Sequence, residues 1–581
     1  MTTTLESAAA TAAATQAAPP ARHHRKARDK SVVILVTIVS IILLLLIGYP
    51  LINLFGAVGS EKGLATLSQV FTTPTNLRII GNTITLGLCV GVLGTLVGFL
   101  FAYAQVRLKF RGKKALNLLA LIPIVAPPFA VSTAVITLFG RNGAISNGIF
   151  GMQWDIYGLP GLVLVLTLSF FPVAYMNIKG MLESLDPSLD EAASGLGASK
   201  LRIFLTVTIP MIIPGLAGSF LLLFVEGIAD LANPLVIGGD YTVLSSRAYL
   251  AVIGEYNTAA GAAYSLVILL PAILVFLVQR YWVSRRSVVS VTGKPTGSTE
   301  LITARSIRIP ALTLVGLISF LIVIIYATVL YGGFVKVPGV NNEFTLDHYR
   351  FVLGGLGSKA MVDTTVMAVI AAPIAGVLGM LIAWLVVRKL GRMAGVLDFL
   401  GMLGLAVPGT VLGIGYALAY MTPVKIGDLQ LLPALAGGSA AFAGGLAIVM
   451  VYVTRSLPSG QRAGVSALQQ IHPAIEEAST SLGANSGTTF RKVTLPLIQS
   501  ALITGVTFAF ARSMTTLSPI IFLTTPGIKI MTSQILAEVD SGRFGNAFAY
   551  CTVLIAIVLC LILLVNVLIR KVVFRGRTHQ R

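Results

Sequence analysis

Glu191–Pro210 reads EAASGLGASKLRIFLTVTIP, and Glu477–Pro496 reads EASTSLGANSGTTFRKVTLP. Both open with Glu-Ala, carry a glycine six residues after the glutamate, and carry a proline nineteen after it. The matched positions are Glu191, Ala192, Gly197 and Pro210 in one copy and Glu477, Ala478, Gly483 and Pro496 in the other, at an offset of 286. A second match lies upstream of each. NTITLGLCVGVLGTLVGFLFAY from Asn82 lies without a gap over DTTVMAVIAAPIAGVLGMLIAW from Asp363, and the register of 281 holds to Pro127 over Pro408. Apolar stretches resemble one another by composition alone, so the matched polar, Gly and Pro positions carry the argument. The chain is a duplicated unit.

The surrounding sequence says what the unit is. Of 581 residues, 55% are hydrophobic and 11% charged, with a mean hydropathy of +0.88. That is too little charge to cover a soluble protein of this size. Runs such as Ser31–Phe55, Ala311–Tyr331 and Ala549–Ile569 are long enough to cross a hydrocarbon core as helices. They are continuous rather than alternating, which favours helices over a barrel. The expected spans are 31–55, 82–106, 116–140, 159–180, 210–238 and 262–283, then 309–333, 364–387, 396–421, 433–455, 497–523 and 546–569. The fold class is therefore an all-α membrane protein, about twelve transmembrane helices in two parallel six-helix repeats. Residues 31–283 and 309–571 are the halves, 284–308 a cytoplasmic linker, 1–30 a disordered tail and 572–581 a basic tail. Six spans per half give both halves one orientation, related by a pseudo-two-fold axis along the membrane normal.

The formal charge of +20 is read as topology rather than as affinity for nucleic acid. Arg22, Arg25, Lys26, Arg28 and Lys30 precede the first span, and clusters at Arg107–Lys114, Arg280–Arg286, Arg388–Arg392 and Arg570–Arg577 follow even-numbered spans. Basic residues concentrate on the cytoplasmic side, so both termini are expected there. Gly48-Tyr49-Pro50 is a poor cleavage site, so the first span is read as uncleaved. Cys89, Cys551 and Cys560 lie within apolar runs and read as packing residues.

The repeated loops fall between the fourth and fifth spans of each half, on the cytoplasmic side. Pro187 and Pro473 suit a helix start, acidic residues its first turns, and Gly197 or Gly483 a sharp reversal. This pattern resembles the EAA loop of ABC importer permeases, with Ile209 in place of the usual Leu and Ser479 in place of the second Ala. The resemblance extends over nearly all of the chain beyond about residue 75. It implies a coupling helix that docks on a cytoplasmic ATPase, present as two copies, and an extracytoplasmic solute-binding protein that meets loops 56–80, 237–261, 334–362 and 524–545. The sequence has no phosphate loop of the G-x-x-x-x-G-K-[ST] type, so ATP is assigned to the partner. The chain is read as a permease of the bacterial inner membrane, with no cofactor or metal site of its own and no catalytic residue.

Ionisable residues inside spans mark solute pathways. Glu226 and Asp230 lie in the fifth span of the first half and Arg512 in that of the second, with Glu226 and Arg512 at the coupling-loop offset of 286. They are expected to face each other across the pathway. Prolines interrupt ADLANPLVIGG and TTLSPIIFLTT, which adds Asn233 and Ser518 as lining candidates. The stretch Ala229–Gly239 resembles ferric-iron permeases, with Leu231 and Ala232 replacing Phe-Gly. Ferric iron is thus the expected solute. 2-Aminoethylphosphonate, or another small phosphorylated or cationic solute, is the alternative in the same class. A secondary transporter of the major facilitator type would also have twelve helices in parallel halves, but has no reason to repeat the Glu, Gly and Pro spacing.

Overall fold

The computed structural model describes residues 30–283, 301–355, 357–426 and 429–578. The expected tail before Lys30, most of the linker and the last three residues fall outside them. Among the described residues, nine helices are long and apolar enough to cross a membrane: Lys30–Gly59, Pro74–Arg107, Leu159–Ser184, Lys200–Ala229, Thr258–Tyr281, Arg305–Gly332, Ser358–Lys389, Phe442–Gln469 and Phe544–Val565. Three bent pairs complete the series, giving twelve crossings if each counts as one: Lys113–Val125 with Phe129–Phe139 (105°), Ala394–Ala406 with Gly409–Tyr420 (101°), and Ser486–Leu497 with Gln499–Thr515 (79°). Among the described residues, two small hairpins, Val335–Val337 with Asn341–Phe344 and Val424–Ile426 with Leu429–Leu432, lie between the helices.

The third span of each half, expected at 116–140 and 396–421, is a bent pair of helices rather than one. Both break at equivalent prolines, Pro127 and Pro408, and the residues before them, Ala126 and Val407, are extended. A proline pushes its predecessor out of the helical region and offers no N–H to the turn before it. The fifth spans also end early. The expected helices 210–238 and 497–523 stop at Ala229 and Thr515, each just before its proline-containing segment. The last helix runs past the expected boundary at 571 to Thr578.

Glycines let the second and fourth spans of each half approach closely. A Cβ on Gly98 would lie 2.6 Å from the Ala174 side chain, and one on the equivalent Gly379 would lie 2.6 Å from the Gln461 backbone nitrogen. Cys551 is buried as a packing residue should be, whereas Cys560 is exposed.

The first helix of each half packs against the other half. Arg305–Gly332 lies against Pro128–Phe139 and Pro74–Arg107, and the first helix lies against Gly409–Tyr420. The second of these contacts is built on a defect. A π-helical turn spans Leu44–Gly48 and Pro50 follows it. Pro50 has no N–H for the carbonyls of Leu46 or Leu45. The hydroxyls of Tyr416 and Tyr420 donate to them instead, at 2.8 and 2.6 Å. Tyr416→Phe and Tyr420→Phe should each cost about 0.6–2 kcal/mol, read as a lowered thermal midpoint of the purified protein in detergent. An unchanged midpoint in the double variant would show that these hydroxyls add no stability.

Candidate functional site

Each repeated loop folds as a helical knob. Pro187–Gly195 and Ala474–Ser481 form the helices. Asp186 accepts from Ser188 N at 3.0 Å to start the first, and the His472 ring accepts from Ala474 N at 3.3 Å to start the second. Gly197 and Gly483 end them at φ +82° and +83°, a conformation that costs an L residue about 1–2 kcal/mol. Ala198 N donates to Ala193 O and Gly197 N to Ser194 O, and the second knob repeats both bonds with Ala484, Ser479, Gly483 and Thr480. This pair of bonds closes the last turn on its own carbonyls. Ser479, the departure from Ala, accounts for itself by pairing its hydroxyl with that of Thr489 at 2.9 Å. Pro210 and Pro496 each follow a π turn, Phe204–Thr208 and Phe490–Thr494, at the entry to the fifth span.

Glu191, Ala192, Glu477 and Ala478 are exposed on the knobs. The most exposed apolar residues there are a pair that spacing alone did not single out. Leu196 and Leu482 are 90% and 89% exposed and occupy the same place in each repeat. Their signal was the position directly before the reversing glycine.

The knobs are anchored by residues first read only as topological charge. Arg107 pairs with Asp190, and the equivalent Arg388 approaches Glu476 at 3.7 Å. Arg388 also donates to the carbonyls of Leu468 and Ile471 at 2.8 and 2.6 Å, which end the fourth span. Glu476 is buried and accepts from Trp384 Nε1 and Thr494 Oγ1. The acid that precedes each motif glutamate thus holds the knob to the end of the second span. Beside the first knob, Ile302 N donates to Arg107 O at 2.8 Å and Lys109 N to Ile302 O at 3.2 Å, so the chain entering the second half is stitched to the first.

The four broken segments converge between the halves on a cavity of about 200 Å3. Equivalent residues of both repeats line it: Ile124 and Leu405, Ser169 and Arg455, Glu226 and Arg512. Of the expected lining residues, Glu226, Asp230, Arg512 and Ser518 meet there. Arg512 Nη2 lies 4.0 Å from Glu226 Oε1, with both side chains about one-third exposed. Asn233 is not among the lining residues. It is fully buried, accepts from Ser132 Oγ, and donates through its backbone and side-chain nitrogens to Asp230 Oδ2 at 2.9 and 3.0 Å. Ser245 Oγ in turn donates to Asp230 O. The Asp-Asn pair therefore rebuilds the turn after the helix breaks. Arg455, which lay at the expected end of the span 433–455, is within a helix instead. Its Nη1 donates to the carbonyls of Gly404 and Val407 at 3.2 and 3.1 Å. Gly404 is four residues before Pro408, so its carbonyl has no helical donor.

On the face opposite the knobs, both halves line a wider vestibule of about 1130 Å3 that includes Arg78, Arg141, Asp155, Lys336, His348 and Arg543. The hydrogen bond from Arg141 holds the Asp155 carboxyl below the usual carboxylate range.

A duplicated multi-pass bundle with two equivalent knobs on one face and a cavity on its pseudo-axis is the architecture of a membrane transport subunit. Residues 94–289 and 375–577 match the family described as binding-protein-dependent transport system inner membrane component, and the chain belongs to that family of ABC importer permeases. It is a non-catalytic membrane subunit of a system that also comprises an ATPase and a binding protein. The ferric transport system permease protein FbpB of Actinobacillus pleuropneumoniae is 33% identical over 498 residues, 84% of this chain and 70% of the relative. A putative ferric transport system permease protein FbpB 1 of Haemophilus influenzae is 32% identical over 501 residues, 83% and 76% respectively. A bacterial alginate ABC transporter in complex with a pentasaccharide-bound periplasmic protein includes a chain 18% identical to this one, covering 44% of this chain and 96% of its own, at a TM-score of 0.39.

Losing a hydrogen bond to a charged group costs about 1.5–3 kcal/mol. Arg107→Gln and Arg388→Gln should therefore speed amide exchange across Pro187–Gly195 and Ala474–Ser481 by about tenfold or more, relative to the neighbouring spans. Hydrogen-exchange mass spectrometry of the purified protein checks this. Unchanged exchange in the knobs would show that the arginines do not anchor them.

Proposed function

We propose that the chain forms the translocation pathway of an importer for ferric iron in a bacterial inner membrane, with the knobs and both termini in the cytoplasm. The basic clusters at the knob-bearing helix ends support this orientation. Two ATPase copies each receive one knob, the exposed leucine and glutamate supplying apolar and charged contacts. ATP-driven closure of the ATPases moves the knobs together. The halves rock about the pseudo-axis and alternate access to the central cavity, and ADP release resets them. A binding protein delivers solute to the opposite vestibule.

The observation that carries the gating part is the approach of Glu226 to Arg512 from equivalent positions of the two halves. An ion pair at this depth specifies one arrangement more than it stabilises the fold. It is a latch that closes the cavity and opens when the halves separate. In the assembled importer, Glu226→Gln and Arg512→Gln should each reduce solute uptake by about tenfold, and the exchange Glu226→Arg with Arg512→Glu should recover a substantial part. Strictly additive losses, with no recovery in the exchange, would dismiss the latch.

Two observations support ferric iron. The relatives named as ferric transport permeases align over most of the chain. The Ala-Asp-x-x-Asn-Pro segment that resembles theirs shapes the cavity wall through Asp230 and Asn233. The second reading, 2-aminoethylphosphonate, is favoured by a cavity that sets carboxylates of one half against guanidinium groups of the other. The partner binding protein separates the two. Purified and titrated with ferric iron, phosphonates and phosphosugars, it is expected to retain ferric iron. Retention of a phosphonate alone would transfer the assignment.

A further inference from the structure

The central cavity sets two acids of the first half against two guanidinium groups of the second. Asp230 accepts twice from Asn233 and is engaged in holding the turn. Glu226 faces Arg512. The guanidinium groups retain capacity. Arg455 uses Nη1 on two carbonyls, yet its Nε is buried with no partner among the described residues. Arg512 Nε is buried and unpartnered in the same way. With Asp230 held by Asn233, Glu226 is the one carboxylate among the described lining residues left to face the guanidinium groups of Arg455 and Arg512, and an acceptor arriving from outside the chain would complete them.

The trend continues along the same helix. Arg462 lies two turns beyond Arg455, about 10 Å further along. It lines a second cavity, of about 630 Å3, with Arg280 and Gln461, at the knob-bearing end of the bundle. Arg280 pairs there with Asp398 at 2.8 Å. From the constriction inward, the second half thus presents arginine at successive levels. Guanidinium matches the paired oxygens of phosphate-like and carboxylate groups.

From this geometry we infer that Arg455 and Arg512 form an oxyanion subsite at the constriction. The solute that crosses is either itself a phosphonate or phosphate-like anion, or a ferric ion that travels bound to one. The inference rests on the reading that this cavity lies on the pathway, and it names the chemistry of what passes through.

The test uses the complete importer, permease with its ATPase and binding protein, in proteoliposomes. The probes are 55Fe, 32P-labelled inorganic phosphate and 14C-labelled 2-aminoethylphosphonate. Entry of iron and phosphate together in a fixed ratio supports an accompanying oxyanion. Entry of the phosphonate without iron supports an anionic solute and displaces the ferric assignment. Iron entering at full rate from buffer free of phosphate, phosphonate and carbonate would overturn the subsite and leave the ferric assignment standing. Arg455→Gln should reduce entry by about tenfold or more, while Arg455→Lys retains most of it. Binding-protein-stimulated ATP hydrolysis by Arg455→Gln reports that the complex has assembled, and wild-type entry in that variant would also overturn the subsite. Ser518→Cys, in a chain with its three cysteines replaced, tests the pathway separately. Its reaction with a water-soluble thiol reagent places the cavity on the path, and no reaction in any nucleotide state would remove the ground for both readings.

Discussion

Every proline inside a membrane helix leaves a carbonyl without its donor, and hydrocarbon cannot supply one. Much of this architecture follows from how those carbonyls are answered. Behind Pro50, two tyrosines reach across from the other half. Behind Pro408, Arg455 arrives from the fourth span. Where the fifth span of the first half breaks before Pro234, Asp230, Asn233, Ser132 and Ser245 rebuild the turn. Each answer is a long-range tie, so the breaks that open a cavity are also the points at which the helices are fastened together. A charged side chain in the membrane is tolerable here because it serves the backbone first.

Duplication set the frame, and the two copies then diverged where they meet. Across the cavity, Ser169 is matched by Arg455, Glu226 by Arg512 and Asp230 by Thr516. A symmetric dimer of one half would oppose glutamate to glutamate, and like charges at that distance repel. Fusion into one chain guarantees that each half meets its counterpart and not itself, so acid and base can be assigned to opposite walls. The knobs had no such freedom. Their reversing glycines, closing bonds and exposed leucines are the same in both copies.

The sequence disclosed most of what is local or periodic. Span number, the repeat, the reversal at Gly197 and Gly483, and the equivalence of Glu226 with Arg512 could all be read from spacing. Contacts between distant segments could not. Arg107 and Arg388 fit the positive-inside pattern fully, and nothing in their spacing reveals the pairing with Asp190 and Glu476. Arg455 sat at an expected span end, where a charge attracts no notice. The break at Pro127 and Pro408 is present in the aligned prolines, but an apolar run of the right length reads as one span and does not show the bend. Asn233 looks like a lining residue because polar groups near a helix-breaking proline often face a cavity, yet Ser132 from a distant segment and Asp230 three residues before it engage its side chain.

The bulge in the first helix has a consequence for biogenesis. The acceptors on Leu45 and Leu46 are answered by hydroxyls 375 and 370 residues further along the chain. At a synthesis rate of 5–20 residues per second, that is roughly 20–75 s of translation. Throughout that interval the leading segment is in the bilayer without its hydroxyl partners. Its unsatisfied oxygens need temporary company, from lipid headgroups, water or the insertion machinery, until the ninth crossing emerges and relieves them.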